Sequence, residues 1–364
     1  MTAESIDNFS TGAAEQPSAP EDEREGRGRK LVAIGFFSFF VLLWLLIHFL
    51  NEALTQPRAS EIRERPFAIV EISPGSSLSD ITKNLMDEGV ISNEFLFKST
   101  AVMRRTNRGL KAGEYRFDKS MALLDVLTSL EQGRVMLHRF TIPEGFTVKH
   151  IADLLAKKGL VDADEFLRLS NDPEVCGELG IDSSTLEGFL FPDTYKVAKG
   201  MPAKRVLRVL VDRFRKACSG EIEDEIAKSG MDIYDIVTIA SIIEKEALYD
   251  DEEPLVAGVI YNRLRLNMRL QCDVTIRYPL DNYGVELTYA DLRIDSPYNS
   301  YLLYGLPPTP ICNPGISAIK AALKPAKTDY LYFVSMNNGR HKFSATYAEH
   351  SEAVYKYRVL NERG

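Results

Sequence analysis

Residues 70–92 read VEISPGSSLSDITKNLMDEGVIS, and seventy positions later residues 140–162 read FTIPEGFTVKHIADLLAKKGLVD. In register, Ile72 matches Ile142, Gly75 matches Gly145, Leu78 matches Val148 and Ile81 matches Ile151. Leu85 falls on Leu155, Gly89 on Gly159 and Ile91 on Val161. Each copy predicts a short alternating strand, a turn carried by glycine, and an amphipathic helix closed by a second glycine. An internal duplication explains the match economically, and coincidence between two generic strand–turn–helix units is the alternative. Strands and helices that follow one another in short units predict an α+β fold, with modules over 67–136 and 137–185.

The Pro-x-Gly-x-Thr opening of the second copy, PEGFTVKHIADLLAKKG, resembles LysM-like modules; the first copy, with Pro74 directly before Gly75, matches less well. That resemblance implies binding of glycans containing N-acetylglucosamine. From residue 186 the texture changes: EGFLFPDTY, a long helical run, then loops rich in Pro, Tyr and Asn, which together predict a catalytic domain over 186–364.

Ahead of the repeat, residues 31–50 read LVAIGFFSFFVLLWLLIHFL, with no Lys, Arg, Asp or Glu. Twenty residues of helix rise about 30 Å, the thickness of a bilayer's hydrocarbon core. The run exceeds the apolar stretch of a cleaved signal peptide, and NEALTQP after it offers no small-residue cleavage site. A retained single-pass anchor is the expectation. Arg24, Arg27, Arg29 and Lys30 abut its first end, whereas the first basic residue beyond it is Arg58. The positive-inside rule then puts residues 1–30, a polar and disordered tail, in the cytoplasm. Residues 51–66 become a stalk, and everything after them is extracytoplasmic.

Composition narrows the function further. The chain has 364 residues, and its 44 Lys+Arg against 52 Asp+Glu leave a net charge of -8, without the basic surplus of a nucleic-acid binder. No G-x-x-x-x-G-K or G-x-G-x-x-G occurs, in keeping with a compartment poor in nucleotides. Four cysteines without C-x-x-C spacing, and five histidines without H-E-x-x-H, suggest neither a redox pair nor a metal centre. No cofactor is expected.

Residues 231–250, MDIYDIVTIASIIEKEALYD, form a strongly helical run. At about 100° per residue, with Ile236 at zero, Glu244 falls near 80° and Glu246 near 280°. Both lie within a broad apolar arc of Ile233, Val237, Ile239, Ile242, Ile243 and Leu248, while Thr238, Ser241, Lys245 and Tyr249 lie opposite. A carboxylate on a buried face is costly unless paired or protonated, and desolvation raises its pKa toward the range of a general acid. A structural glutamate paired with an arginine of the next helix fits the same wheel. The periodicity does not distinguish Glu244 from Glu246.

ASIIEKEA, then VAGVIYNRLRLNMRLQCDVT, SPYNSYLLYGLPPTPICNPG and HKFSATYAEHSEAV resemble, in order and spacing, the YceG-like family of membrane-bound endolytic murein transglycosylases. The resemblance covers roughly residues 67–360. It implies that Glu246 is the catalytic acid/base, with Glu244 as a supporting neighbour. It also implies peptidoglycan glycan strands as substrate, the bacterial inner membrane as location, and penicillin-binding glycan polymerases as partners. Ala247, Val274 and Thr309 depart from the family pattern, which leaves loop shape and glycan-length preference open.

Polar groups that can hold sugars follow the helix. Asn262 and Arg263 stand in YNRLRL, where Arg263 is suited to orient Glu246 or bind an acetamido or carboxyl group. Gln271, Asp273 and Thr275 alternate and would share one face of a strand. Tyr298, Asn299 and Tyr301 occupy a Pro-bounded loop with the stacking and amide groups that glycan clefts favour. His341 and His350 belong to the last block, where a structural role fits as well. Two other functions fit the same residues: a non-catalytic peptidoglycan-binding scaffold, and a hydrolase using Asp273 as second carboxylate.

Overall fold

The computed structural model describes residues 21–55, 66–106, 108–283 and 285–359. The chain is mixed α+β and divides into two units, Met1–Arg134 and Val135–Gly364.

In the first unit α1 (Glu21–Thr55) takes in the uncharged run. Its Ile34–Leu54 segment is 21 residues long and apolar enough to cross a membrane. The helix also includes residues 21–30 of the expected tail; residues 1–20 of that tail and 56–65 of the stalk lie outside the described residues. Beyond them β1 (Phe67–Ile72), α2 (Leu78–Asp87), α3 (Glu94–Met103), β2 (Gly113–Asp118) and α4 (Leu123–Gln132) follow. β1 and β2 pair antiparallel from Phe67 opposite Asp118 to Ile72 opposite Gly113. Ser77 starts α2 with a reciprocal box: its hydroxyl accepts from Asp80 N, and the Asp80 carboxylate accepts from Ser77 N. Ile72, Ile81 and Leu85, in phase in the sequence, are buried together with Phe97, Tyr115 and Phe117.

The second unit begins with the other copy. β3 (Leu137–Thr141) leads through Gly145 into α5 (Val148–Lys157), which Thr147 caps as Ser77 caps α2. Ile142, Ile151 and Leu155 are buried at the matching positions. α6 (Ala163–Ser170) and α7 (Pro173–Glu178) intervene before β4 (Thr194–Ala198), which pairs antiparallel with β3. α8 (Ala203–Cys218), α9 (Glu221–Ser229), α10 (Ile233–Glu246), α11 (Glu253–Arg265), α12 (Asp273–Leu280) and α13 (Ile316–Leu323) follow. The unit ends with the hairpin β5 (Tyr332–Ser335) and β6 (His341–Ser344), and with α14 (Tyr347–Val354) packed on that hairpin. Gly188 sits at φ +91 between α7 and β4, where an added Cβ would lie 2.7 Å from Pro310 and Val237 side-chain atoms. The turn therefore requires glycine both for its backbone and for the close approach.

α10 is packed by α11, α12 and α13. Ile236, Ile239, Ile242 and Ile243 are all fully buried, each contributing about 1.5–3 kcal/mol by leaving water. The polar side expected to face solvent does not: Thr238 and Ser241 are buried as well. They tolerate this because their hydroxyls donate within the helix, Thr238 Oγ1 to Tyr234 O and Ser241 Oγ to Thr238 O. Ile311 N then donates to Ser241 Oγ, tying the Pro-rich loop to the helix. Lys245 is half-buried over the Tyr283 ring at 4.5 Å. The helix stops at Glu246, so Leu248, expected on the apolar arc, is exposed. Cys176, Cys218, Cys272 and Cys312 are free and buried.

Candidate active site

The two glutamates at the end of α10 go to opposite sides, as their wheel angles require. Glu246 lines a cleft of roughly 460 Å³ together with Arg263, Gln271, Asp273, Arg277 and Tyr301. Burial pushes its carboxyl up to about 7, the Asp273 charge pushes the same way, and Cys272 and Arg277 oppose. At neutral pH such a group is divided between acid and base forms, which suits it to give a proton and take one back.

Glu244 accepts from Gly315 N at 2.9 Å, just ahead of α13. Its pKa also rises to about 7, first through burial and then through Glu144 and Glu253, although the Gly315 bond lowers it. It does not line the cleft; it joins α10 to the start of α13.

The floor of the cleft differs from the expected strand. Asp273 opens helix α12, and Thr275 is buried with its hydroxyl donating to Cys272 O. The alternation of Gln271, Asp273 and Thr275 is overruled because Gln271 takes a left-handed conformation, φ +50, with its N–H on Ser300 O. A helix then begins with an aspartate where the helix dipole favours one. Gln271 and Asp273 reach the cleft all the same, and Tyr301 donates to Asp273 Oδ1 at 2.6 Å.

Arg263, 8% exposed, spends its guanidinium on backbone carbonyls: Nε on Leu331 O at 2.6 Å, Nη1 on Leu270 O at 2.7 Å and Arg269 O at 3.2 Å. It holds the segment before α12 against β5, so its hydrogen bonds are not spent on a glutamate of α10. Asn262 faces away from the cleft, its amide donating to Thr328 O and Tyr330 O. Asn299 is fully buried; its amide donates to Leu292 O and Ile294 O, and its Oδ1 accepts from Tyr301 N. Tyr298 packs on Tyr278 at 5.0 Å and hydrogen-bonds Thr309, outside the cleft. Of the sequence candidates, Glu246, Arg263, Gln271, Asp273 and Tyr301 come together, with His341 and His350 across the cleft, whereas Asn262, Tyr298, Asn299 and Glu244 do not line it.

Of the opposite wall the sequence singles out only His341 and His350, for which a structural role fits as well. Tyr332, His341, Tyr347, His350 and Arg358 line it from β5, β6, α14 and the turn after α14. His341 Nδ1 lies 2.9 Å from the buried Glu252, so this histidine is anchored. The sequence also passed over Glu187 of EGFLFPDTY, which is buried. Its carboxylate accepts from Val148 N at the start of α5, from Asn313 Nδ2 and from Tyr278 OH. Burial nevertheless raises it to about 8. The lone acidic residue in an otherwise apolar EGFLFP stretch was the available signal.

A family model described as the YceG-like family matches residues 70–356. The chain is 32% identical over 306 residues to a Bacillus subtilis protein named endolytic murein transglycosylase, covering 79% of this chain and 84% of that one. A Streptococcus pneumoniae protein of the same name is 29% identical, over 82% of this chain; the aligned part spans 59% of that longer protein. The crystal structure of a YceG-like protein from Listeria monocytogenes superposes with a TM-score of 0.55 at 35% identity, covering 79% of this chain and 99% of that one. With a match reaching from β1 into the turn after α14, the chain belongs to the YceG-like family.

Proposed function

We propose that this chain is a membrane-anchored endolytic lytic transglycosylase that cuts the bond from N-acetylmuramic acid to N-acetylglucosamine in nascent peptidoglycan. The observation that carries the proposal is Glu246: a carboxyl raised to about 7 on the wall of a cleft large enough for sugars, in a chain of this family. Protonated Glu246 gives its proton to the departing glycosidic oxygen as the C1–O bond breaks. The resulting carboxylate accepts the proton of the muramic 6-hydroxyl as that oxygen bonds C1. The product is a 1,6-anhydro end, and no water is consumed. One carboxyl suffices, in contrast to the two of a hydrolase.

In this reading Arg263, Gln271 and Asp273 shape the cleft around the substrate. Asn262, Tyr298 and Asn299 hold the loops behind it, and Glu244 steadies the helix that carries Glu246. The strand–helix modules 67–136 and 137–185 serve as LysM-like glycan contacts for the catalytic domain 186–364. Basic residues before the apolar helix support a cytoplasmic N-terminus and a catalytic domain outside the inner membrane, beside the glycan polymerases that make the substrate.

A hydrolytic muramidase is the second reading, favoured by Asp273 sharing the cleft with Glu246. Mass spectrometry of products from purified glycan strands separates the two. Anhydro ends support the transglycosylase, and products heavier by one water support the hydrolase. Glu246→Gln is expected to abolish release; full activity in that variant sinks both.

A further inference from the structure

The cleft beside Glu246 is electrically unbalanced. Its lining includes the guanidinium groups of Arg263, Arg277 and Arg358, against the carboxyls of Glu246 and Asp273. Once Glu246 carries its proton, Asp273 is the one carboxylate left among the described lining residues. Arg263 and Arg277 are held by neutral carbonyls, Arg277 Nη1 by Asn282 O and Val285 O, so those bonds orient the charges without cancelling them. Among the described residues none of the three arginines forms an ion pair with a carboxylate. Arg358 is exposed and reaches the cleft from the π-helical turn Tyr355–Val359.

His350 stands on the same wall. Its ring stacks on Tyr332 at 5.0 Å, and its buried Nδ1 finds no hydrogen-bond partner among the described residues. Burial, Arg263 and Arg358 all hold the imidazole toward its neutral form. The Arg263 guanidinium lies over the other aromatic of this corner, 5.1 Å from the Tyr332 ring centroid. Uncancelled positive charge in a concave, partly desolvated site attracts an anion.

We propose that this wall is a subsite for a carboxylate carried by the glycan strand, with Arg358 as the direct contact and the fixed field of Arg263 and Arg277 behind it. The proposal rests on the cleft being where the glycan lies, and assigns the anion-reading end of it. A murein strand offers this chemistry from two sources: the carboxylates of the stem peptide, and the muramic lactyl carboxylate, which is free only where the peptide, amide-linked to it, has been removed. A strand without either is disfavoured.

The test is binding of fluorescently labelled strands to the full-length Glu246→Gln protein in detergent, with and without Arg358→Gln. Three ligands are compared: peptide-bearing strands, strands stripped of peptide, and stripped strands whose lactyl carboxyls are reduced to alcohols. The subsite predicts that removing the strand's carboxylate, by stripping or by reduction after stripping, weakens binding roughly five- to tenfold, that Arg358→Gln does the same to carboxylate-bearing strands, and that the two losses do not add. Arg358→Lys restores most of the loss. Equal affinity for native and reduced strands overturns the proposal, as does an Arg358→Gln loss of the same size on both. Loss on reducing stripped strands assigns the lactyl carboxylate; loss on stripping, with no further loss on reduction, assigns the peptide. An active Glu246→Gln protein refutes the acid/base reading while leaving carboxylate-dependent binding to be judged by the same titrations.

Discussion

The Tyr278 hydroxyl donates to Glu187 Oε2 at 3.1 Å, joining helix α12, whose first residue Asp273 lines the cleft, to a carboxyl that also caps α5. The cleft therefore depends on a buried acid that touches no cleft surface. Donors on every side favour its carboxylate, yet the lost hydration outweighs them and the pKa stands near 8.

Stability should fall as pH rises through this window. Below about 4.5 Glu187 is protonated in both states; between there and about 8 the folded chain keeps a proton that the unfolded chain has released. Glu244 and Glu246, each raised to about 7, act with the same sign. Urea unfolding at about pH 5 and about pH 8.5 is expected to show a loss on the order of 2–4 kcal/mol from Glu187. Glu187→Gln, which can still accept from Val148 N and donate to the Tyr278 oxygen, should remove that part of the slope.

In the proposed mechanism the initial cleavage needs protonated Glu246, so its rate should decline as pH rises through about 7. Asp273→Asn removes the neighbouring negative charge that helps hold the pKa up. The alkaline limb of the rate profile should then move to lower pH by roughly one unit, read from kcat/KM across pH. An unmoved limb would show that Asp273 does not act on Glu246.

Asn299→Ala should behave as a folding variant. It strands the Leu292 and Ile294 carbonyls and the Tyr301 N–H, and a lost buried hydrogen-bonding group costs about 1–3 kcal/mol. Denaturant titration measures that loss. Because Tyr301 also holds Asp273, kcat should drop more than strand affinity does.

Gly188→Ala confronts a positive φ and atoms 2.7 Å away on Pro310 and Val237. The expected destabilisation is about 3 kcal/mol or more, seen as a lowered thermal midpoint, because overpacking adds to backbone strain.

Ile72, Ile81 and Leu85 and their counterparts seventy positions on marked both strand–helix units, since a period of two or of 3.6 is a local property. The strand expected through Gln271, Asp273 and Thr275 failed because a left-handed Gln271, pinned through its N–H by Ser300, resets the backbone just before Asp273. The solvent face expected for Thr238 and Ser241 failed because their hydroxyls are satisfied within α10, which leaves that side free to be covered.

By itself, then, the sequence determined the apolar helix, the two matching strand–helix units with their glycine turns, and a helix ending in two glutamates about 160° apart. These depend on hydrophobic period, capping and charge within a few turns of chain. Only the tertiary structure decided that Glu246 meets a cleft and Glu244 meets the start of α13. A wheel gives an angle around an axis and says nothing of what packs at that angle. The same holds for the asparagines: Asn262 and Asn299 carry sugar-binding chemistry, but backbone carbonyls claim them first, those of Thr328 and Tyr330 for Asn262 and those of nearby Leu292 and Ile294 for Asn299.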